Sequence, residues 1–432
     1  MDAGLIGKVN LLNPWLKTGD YTHLFPKKYT PRQQIKKLLL PQWDEYCTVL
    51  IGPRQSGKTT LGKMLCYELI CKQKRFEHLI YLNCDLLEMR TWMKDIQFVS
   101  DIFKEFKIKE LILFIDEVQR LENPGLLLKA IVDLSLPIKL IASGSSQIEL
   151  KSKIKEHLTG RKFESFVLPL SQQELQQDIE NWLIYGSYPK VITSEEKKIV
   201  LSMLYNDYIK KDIIEILKVG KPDILEKIIG LIGHTSGQIV NEHQIGIDCK
   251  SSNSLVQNYL SILENSYVIS KVTPFSGNKR SEITSRPKYY FIDNGFRNQS
   301  LENFLPLSSR QEKGLLVEGA IFQELLKYRE QNYLDYRINF WRTKGGAEVD
   351  FILSYNEEVL PIEVKYQNIL KFKVSKSFRS FIEAYEPKVA LIITNNFKKE
   401  ELVNNTLVKM IPLSYISLVF KEIDDFLKHH HS

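Results

Sequence analysis

Short apolar runs alternate with longer amphipathic stretches in the first part of the chain. Five runs rich in β-branched and aromatic residues, CTVLIG, LIYLN, LILFI, IKLIAS and FVLPL, occur between residues 47 and 170, and helical periodicity fills the spaces between them. Buried runs separated by helices are typical of a mostly parallel α/β sheet. The pattern predicts a first domain over residues 1–170, with an N-terminal extension.

The pattern changes after this domain. Residues 171–237 lack such runs, and stretches such as SEEKKIVLSMLYNDYIKKDIIEIL carry apolar residues at helical spacing, which predicts a small helical lid domain. In residues 238–305, NEHQIGID and SSNSLVQNYLSILENS predict two helices, and VISKVTPF and KYYFID predict strands on either side of a basic loop. Two helices followed by a hairpin are the layout of a winged helix, a common DNA-binding form.

Residues 306–432 make up the last predicted domain. One helix (EKGLLVEGAIFQELLKY) precedes three strands (RINFWR, AEVDFIL and EVLPIEVK), and a second helix and a further strand (VALIIT) follow. Because side chains alternate along a strand, Glu363 and Lys365 share one face of EVLPIEVK, and Asp350 lies on one face of the strand before it. Asp350, Glu363 and Lys365 can therefore converge across a hairpin.

Composition places the chain among ordinary folded proteins and excludes disordered and collagenous classes. The 432 residues are 43% hydrophobic, and 59 Lys and Arg against 52 Asp and Glu leave a net charge of +7, which suits phosphate-bearing partners without requiring them. Five cysteines without a C-x-x-C pair indicate neither a disulfide framework nor a zinc site. Because no apolar run is long enough to span a membrane, we expect a soluble, cytoplasmic protein.

A phosphate-binding loop follows the first predicted strand. Residues 52–59 fit G-x-x-x-x-G-K-[ST] and lie between a buried strand and a helix, where this pattern has its mechanism. Backbone N–H groups of such a loop surround the phosphates, Lys58 reaches the β and γ oxygens, and the Thr59 hydroxyl ligates magnesium. The predicted nucleotide contacts in the loop are Gly52, Pro53, Arg54, Gln55, Ser56, Gly57, Lys58, Thr59 and Thr60.

The third run ends in two acids, as LILFIDE. We expect Asp116 to hold magnesium and Glu117 to polarise the attacking water, which predicts a hydrolase rather than a nucleotide-binding switch. Ser145 is predicted to be a polar sensor of the γ-phosphate, and an N-cap role is its alternative. Arg161 is predicted to be an arginine finger, and an ordinary exposed residue is its alternative. Whether it acts within one copy of the chain or between copies of a homo-oligomer stays open.

Seven stretches together resemble one group of proteins. GPRQSGKTT, LFIDEVQRL, ASGSSQ, LTGRK, GSYP, YIKKDI and RPKYYFIDNG are similar to archaeal and bacterial P-loop ATPases of the AAA+ superfamily that carry a winged helix and a C-terminal nuclease-like domain. The resemblance implies ATP and Mg²⁺ as cofactors. It also implies a sheet with an added strand between the phosphate-loop strand and the Asp-Glu strand. Lys211 departs from that family, which usually has arginine before the acid at Asp212.

The D…E-x-K layout on adjacent strands resembles the PD-(D/E)XK nuclease fold. It implies that Glu318, Asp350 and Glu363 hold one or two magnesium ions, and that Lys365 orients the nucleophile or counters charge on the scissile phosphate. Glu318 lies on an apolar helix stripe, where a carboxylate needs a partner. Nuclease-like domains also serve as DNA-binding modules that cut nothing, so retained cleavage stays open.

The predicted DNA contacts lie in the winged helix. Polar side chains stand early in its second helix, the end that meets base edges, and basic ones follow in the loop, where they contact phosphates. These residues are Ser252, Asn253, Gln257, Lys279, Arg280 and Arg286.

The predicted fold class is α/β, with a P-loop ATPase sheet, a helical lid, a winged helix and a PD-(D/E)XK nuclease-like domain. The leading hypothesis is an ATP-hydrolysing protein that binds double-stranded or branched DNA and couples nucleotide state to its processing through a Mg²⁺-dependent endonuclease. The alternative is an ATP-dependent regulatory or defence switch whose C-terminal domain only binds DNA or a partner.

Overall fold

The protein is described by a computed structural model that covers residues 3–26, 28–144, 158–175, 178–216, 219–275 and 286–428. The chain divides into two compact units. The first unit comprises Met1–Leu170, Tyr188–Thr193 and Glu330–Asn332, and the second comprises Ser171–Ser187, Ser194–Arg329 and Tyr333–Ser432. The predicted boundaries after residues 237 and 305 both fall inside the second unit.

A five-stranded parallel sheet forms the centre of the first unit. Its strands are β1 (Cys47–Ile51), β2 (His78–Asn83), β3 (Leu111–Asp116), β4 (Ile138–Gly144) and β5 (Lys162–Phe166), in the order β2-β3-β4-β1-β5. Every residue of β1 and β3 is buried, as expected for central strands of a parallel sheet. Strand β4 lies between β1 and β3, so the prediction of an added strand is confirmed.

Helices and short turns precede, connect and follow the strands of this sheet along the chain. They are α1 (Ala3–Leu12), α2 (Trp15–Thr18), α3 (Ile35–Leu38), α4 (Lys58–Tyr67, continuing as a π-helix over Glu68–Lys72), α5 (Leu87–Trp92), α6 (Gln97–Phe106) and α7 (Pro124–Asp133). Short 3-10 turns lie at Tyr21–Leu24, Pro41–Trp43 and Val118–Arg120, and a four-residue α-helix lies at Pro189–Ile192. The core of the unit joins Trp15, Leu50, Leu65, Phe114 and Ile141. The N-terminal extension is thus packed into the core by Trp15, rather than appended to it.

The fifth strand lies earlier in the chain than predicted. The prediction placed it at residues 166–170, whereas β5 ends at Phe166 and has the sequence KFESF. Pro169 has no N–H to donate to a strand ladder. As the edge strand of the sheet, β5 also tolerates the charged Lys162 and Glu164, which hide it from a search for apolar runs.

The second unit contains two sheets among its described residues. An antiparallel pair consists of β6 (Ile269–Val272) and β7 (Lys288–Phe291). A six-stranded sheet has the order β12-β13-β11-β10-β9-β8. Its strands are β8 (Arg337–Arg342), β9 (Glu348–Tyr355), β10 (Glu358–Lys365), β11 (Val389–Thr394), β12 (Lys399–Val403) and β13 (Thr406–Pro412).

Nine α-helices belong to the described part of this unit. They are α8 (Ile179–Tyr185), α9 (Lys197–Asn206, continuing as a π-helix over Asp207–Ile216), α10 (Pro222–Thr235), α11 (Glu242–Asp248), α12 (Asn253–Asn265), α13 (Asn294–Ser300), α14 (Lys313–Asn332), α15 (Lys376–Tyr385) and α16 (Ile416–Lys428). The order α11-α12-β6-β7 is the predicted one, and so is α14-β8-β9-β10-α15-β11. The winged-helix and nuclease-like identities stay predictions. Strands β12 and β13 and helix α16 were not predicted.

Within the described ranges, no helix combines the length and the apolar character that crossing a bilayer requires.

Gly62 tests the packing of α4 on the sheet. A methyl group at Gly62 would lie 2.4 Å from Cζ of the buried Phe114 ring. Overpacking a core costs about 1–3 kcal/mol, more than alanine gains in helix propensity. We expect Gly62→Ala to lower the free energy of unfolding by about 2 kcal/mol in urea denaturation. Gly7→Ala in α1 is the control, because its methyl group would meet nothing within 4 Å. Equal stability of the two variants would contradict the prediction.

Candidate nucleotide site and acidic cluster

The phosphate loop connects β1 to α4. A side chain at Gly52 would lie 2.2 Å from the Val167 carbonyl oxygen, so the position requires glycine. Gly57, with φ 99°, is the N-cap of α4 and has a conformation that glycine adopts at little cost. The Lys58 side chain is buried, and its ammonium donates to the carbonyl oxygens of Gly52 (3.1 Å) and Pro53 (2.8 Å). The lysine is therefore held against the loop that its sequence pattern assigns to phosphate.

The Asp116 carboxylate at the end of β3 accepts hydrogen bonds from three hydroxyl groups. Thr59 donates to its two oxygens at 2.9 and 3.1 Å, Tyr81 donates at 2.8 Å, and Ser143 also donates. Burial and the Asp116 charge raise the pKa of Tyr81, so its phenol remains a donor. The Thr59 hydroxyl and Asp116 carboxylate thus meet at one point, and both are oxygen ligands of the kind that Mg²⁺ prefers.

Glu117 follows in a left-handed conformation, with φ 56°. Its backbone N–H donates to the Ser143 hydroxyl at 3.3 Å, and its carboxylate accepts from the Gln119 amide. Sequence reasoning missed Tyr81 and Gln119. A polar residue at the end of a strand next to β3 was the available signal for Ser143, and the prediction chose Ser145 instead.

Two other residues, Ser145 and Arg161, were predicted to contact the nucleotide. Ser145 lies outside the described residues. Arg161 lies at the surface with its side chain 42% exposed, and its guanidinium pairs with Asp133 at 2.7 Å. The finger role of Arg161 therefore stays a prediction. Lys211, at the position where the resembling family has arginine, pairs with Asp207 at 2.8 Å.

A cavity of about 280 Å³ lies beside the start of α4 in the first unit. Gly57 and Thr60 line one side of it, and Tyr29, Thr30 and Pro189 line others. Its walls combine an aromatic ring and a proline ring with backbone and hydroxyl groups. Flat, mostly apolar ligands with a few polar atoms suit such a lining.

The predicted acidic residues of the second unit meet on the six-stranded sheet. Strands β9 and β10 are antiparallel neighbours, and continuing their register places Glu363 opposite Asp350. The Val364 N–H donates to Asp350 at 2.7 Å. Burial, together with the nearby Glu318 and Glu363 charges, raises the pKa of Asp350 well above its ordinary value. The structure therefore brings the D and E of the D…E-x-K pattern side by side.

Glu363 and Lys365 form an ion pair on β10. Their charged atoms are 2.8 Å apart, and the Glu363 carboxylate also accepts from the Ser375 hydroxyl at 3.0 and 3.1 Å. Burial alone would lower the pKa of Lys365, but Glu363 and Asp350 outweigh it and raise the pKa. Lys365 is accordingly a charged partner of the acids beside it.

Strand β7 contributes two residues that sequence reasoning missed. The Lys288 ammonium lies 2.7 Å from Glu348 and 3.4 Å from Glu318, and the Tyr290 hydroxyl donates to Glu318 at 2.6 Å. The alternation of Lys and Tyr in KYYF was the available signal, because residues two apart on a strand share a face. We call Glu318, Glu348, Asp350 and Glu363 the acidic cluster.

The acidic cluster does not fit a divalent cation as it is arranged. Within the described ranges, no three His, Cys, Asp or Glu side chains are grouped so as to hold a metal ion. Glu318, Asp350 and Glu363, the predicted ligands, each accept hydrogen bonds from protein donors. In addition, the Lys288 ammonium already lies 3.4 Å from Glu318, one of the predicted ligands.

A polar cleft of about 1040 Å³ opens beside the acidic cluster. Glu318 and Glu348 line it together with three cations, Arg286, Arg342 and Lys344. Arg342 donates to Glu348 at 3.0 Å, and all three cationic residues are exposed. Cations along an open groove attract a phosphate backbone.

The residues predicted to contact DNA differ in their hydrogen bonding and exposure. Ser252 is the N-cap of α12 and accepts from a backbone N–H at 3.2 Å, and Gln257 donates to a glutamate of α11 at 3.1 Å. Asn253 is exposed. Lys279 and Arg280 lie outside the described residues. Among the four predicted contacts that the structure describes, Arg286 is the one that lines the cleft.

Three protein families match consecutive parts of the chain. Residues 44–176 match an AAA domain, residues 176–307 match a domain of unknown function (DUF8612), and residues 313–416 match another domain of unknown function (DUF4143). The AAA match contains the whole phosphate loop and all five strands of the first sheet. Together with the loop geometry, it supports a P-loop ATPase.

Individual relatives are distant. Uncharacterized proteins of Mycobacterium bovis and Mycobacterium tuberculosis are each 22% identical over 339 residues, which cover 77% of this chain and 72% of the relative. The solved structure of a DNA replication initiation factor is 14% identical, with a TM-score of 0.25, and the match covers 54% of this chain and 87% of the chain of that factor. AMPPCP-bound DnaA from Aquifex aeolicus is 16% identical, with a TM-score of 0.27, covering 56% and 92%. TM-scores this low carry no argument about this chain.

Tyr81 tests the hydroxyl network on Asp116. Tyr81→Phe removes one of its three donors and leaves the ring in place, so the carboxylate loses orientation without losing charge. Removing an outer partner of a metal ligand typically weakens metal affinity 10- to 100-fold. We expect the Mg²⁺ concentration for half-maximal ATP hydrolysis to rise about tenfold. Tyr46→Phe, at a partly exposed tyrosine of the same unit, is the control. An unchanged Mg²⁺ requirement in Tyr81→Phe would contradict the prediction.

Proposed function

We propose that the first unit binds ATP with Mg²⁺ and hydrolyses it. The observation that carries the proposal is the hydrogen bond from the Thr59 hydroxyl to Asp116, beside the buried Lys58. A phosphate-loop lysine, a hydroxyl and a carboxylate then stand within one site. The AAA match over residues 44–176 supports the same activity.

The residues divide the work of hydrolysis. Lys58 would exchange the loop carbonyls for β- and γ-phosphate oxygens, and loop N–H groups would cradle the phosphates. Thr59 and Asp116 would hold Mg²⁺, which neutralises phosphate charge when bound. Glu117 would accept a proton from the attacking water after its bond to Gln119 opens. That bond also orients the Glu117 carboxylate.

The cavity beside α4 is the proposed site of the nucleoside base. It adjoins Gly57 and Thr60, which are the N-cap and the third residue of α4, the helix that follows the phosphate loop. A base placed there can stack on the Tyr29 ring while its phosphates remain at the helix N-terminus. Base and phosphates are thereby assigned to adjoining parts of the same unit.

Glu117→Gln tests hydrolysis separately from binding. The amide keeps the shape of the side chain and its contact with Gln119, but it cannot accept the proton. General-base catalysis contributes about 10²–10⁴-fold, so we expect steady-state ATP turnover to fall at least ~100-fold. Binding of a fluorescent ATP analogue should change less than about threefold, because the phosphate contacts remain. Turnover equal to that of the natural chain would contradict the assignment.

For the second unit, we propose a nucleic-acid-binding role governed by ATP turnover. The support is the cleft in which Arg286, Arg342 and Lys344 surround the edge of the acidic cluster. Cations beside carboxylates would direct a phosphate backbone along the groove and not onto the acids themselves. DNA is the proposed partner, and the element order α11-α12-β6-β7 supports a winged helix as a second contact.

Between cutting and binding alone, the geometry favours binding alone. The intact set Glu318, Asp350, Glu363 and Lys365 supports an endonuclease. However, the cluster carries Lys288 as an internal cation. Within the described ranges, no three His, Cys, Asp or Glu side chains are grouped so as to hold a metal ion. We therefore propose an ATP-dependent switch that binds DNA, and keep Mg²⁺-dependent cleavage as the second candidate.

Arg286 and Lys344 test the cleft. Both are exposed and form no part of the acidic cluster, so replacing them should leave the fold intact. We expect the double variant Arg286→Ala/Lys344→Ala to bind duplex DNA more weakly whatever its sequence. Each lost phosphate contact should reduce the slope of log affinity against log salt by about 1. Fluorescence anisotropy at several salt concentrations measures both quantities. Lys421→Ala, at an exposed lysine of α16, is the control, and an unchanged slope in the double variant would refute the cleft.

A further inference from the structure

Lys288 is buried to a degree that is unusual for a lysine. Its side chain is 1% exposed, although the residue lies on a strand of only four residues. An ammonium group in such a place is tolerated only when charges of opposite sign surround it. The position of Lys288 therefore has to be explained by what encloses its ammonium.

Three groups from three elements enclose the ammonium. Glu348 of β9 lies 2.7 Å away, and Glu318 of α14 lies 3.4 Å away. The Phe340 ring of β8 presents its face at 5.2 Å. Burial alone would lower the pKa of Lys288, but Glu318, Glu348 and Asp350 outweigh it and raise the pKa. The lysine remains charged among these acids.

Strand β7 supplies a second donor to the same carboxylate. The Tyr290 hydroxyl donates to the Glu318 oxygen Oε1, which also faces Lys288. Because Lys288 and Tyr290 are two residues apart, one strand face delivers both groups. A cation that bound Glu318 through this oxygen would have to displace both.

We propose that the Lys288 ammonium takes the place of a divalent cation in the acidic cluster. It supplies positive charge between Glu318 and Glu348 and acts on the charge of Asp350. Glu318 and Asp350 are two of the three metal ligands that the resemblance to the nuclease fold implies. The natural chain then needs no metal to hold these carboxylates together. The inference deepens the proposed role in binding without cutting, and rests on it for the meaning of the cluster.

Removing the charge while keeping the side-chain volume should turn the cluster into a metal site. In Lys288→Met, Glu318, Glu348 and Asp350 lose their shared cation, and a hard divalent ion becomes the available replacement. Mn²⁺ binding is read from the loss of the free-ion EPR signal, without nucleotide or DNA. Asp116→Asn is built into every protein, so that the phosphate-loop site does not contribute.

We expect the Lys288→Met protein to gain one saturable Mn²⁺ site. Its affinity should be at least ~10-fold higher than that of any Mn²⁺ binding by the protein that keeps Lys288. Adding Glu318→Gln should abolish the gain, and Lys288→Arg, which keeps the charge, should not show it. Lys409→Met is the matched control, because it breaks another Lys–Glu pair of the unit, at 2.7 Å from Glu422. That control should gain no Mn²⁺ site.

Thermal melting gives a second readout. The melting temperature of the Lys288→Met protein should rise by at least ~5 °C with saturating Mn²⁺, and the melting temperature of the protein that keeps Lys288 should not rise. A Lys288→Met chain that folds only with Mn²⁺ also supports the inference. Three results overturn it: equal Mn²⁺ affinity with either residue, a folded variant that gains no site, or a variant that Mn²⁺ does not help to fold. Failure of the DNA-binding tests leaves these outcomes unchanged, so the two failures are distinguishable.

Discussion

A buried charge needs a partner at close range, and this constraint organises both units. In the first unit, the Asp116 carboxylate is stabilised by three hydroxyl donors. In the second, Lys288 lies between Glu318 and Glu348, and Glu324 pairs with Lys327 at 3.2 Å with both side chains fully buried. The sets around Asp116 and Lys288 each draw on more than one element, whereas Glu324 and Lys327 lie on the same helix, α14. Breaking one partner of such a set typically costs about 3–5 kcal/mol, so the sets fix how their elements pack.

The two chemical sites use this constraint in different ways. Around Asp116 the partners are neutral hydroxyls, which satisfy the carboxylate yet leave its charge available to a cation. Around Glu318 and Glu348 the partners include the Lys288 ammonium, which donates to the carboxylates and also offsets part of their charge. Carboxylates therefore have only neutral hydroxyl partners at Asp116, and a cationic partner at Glu318 and Glu348. This difference lies in the donors, and the acids alone do not reveal it.

Sequence reasoning reached those features that depend on local pattern. Period-two alternation placed Asp350 beside Glu363, and the loop pattern placed Lys58 and Thr59 at the start of α4, because both follow from geometry within a few residues. It missed what depends on distant partners. Ser143 reaches Asp116 across the sheet, and β5 was misplaced because an edge strand need not be apolar. Lys288 was missed because its partners lie 30 and 60 residues away.

The D…E-x-K pattern illustrates the limit of an intact motif as an argument for activity. Spacing determines which carboxylates can meet, but it does not determine whether another part of the chain already pairs with them. Here Lys288, on a strand outside the six-stranded sheet, faces both Glu318 and Glu348. A ligand set whose charge is internally compensated gains less from a metal ion than an uncompensated set, because the ion must displace an ammonium that is already desolvated. An intact D…E-x-K set is thus compatible with a cluster that pairs β7 with β9 of the six-stranded sheet through Lys288 and performs no cleavage.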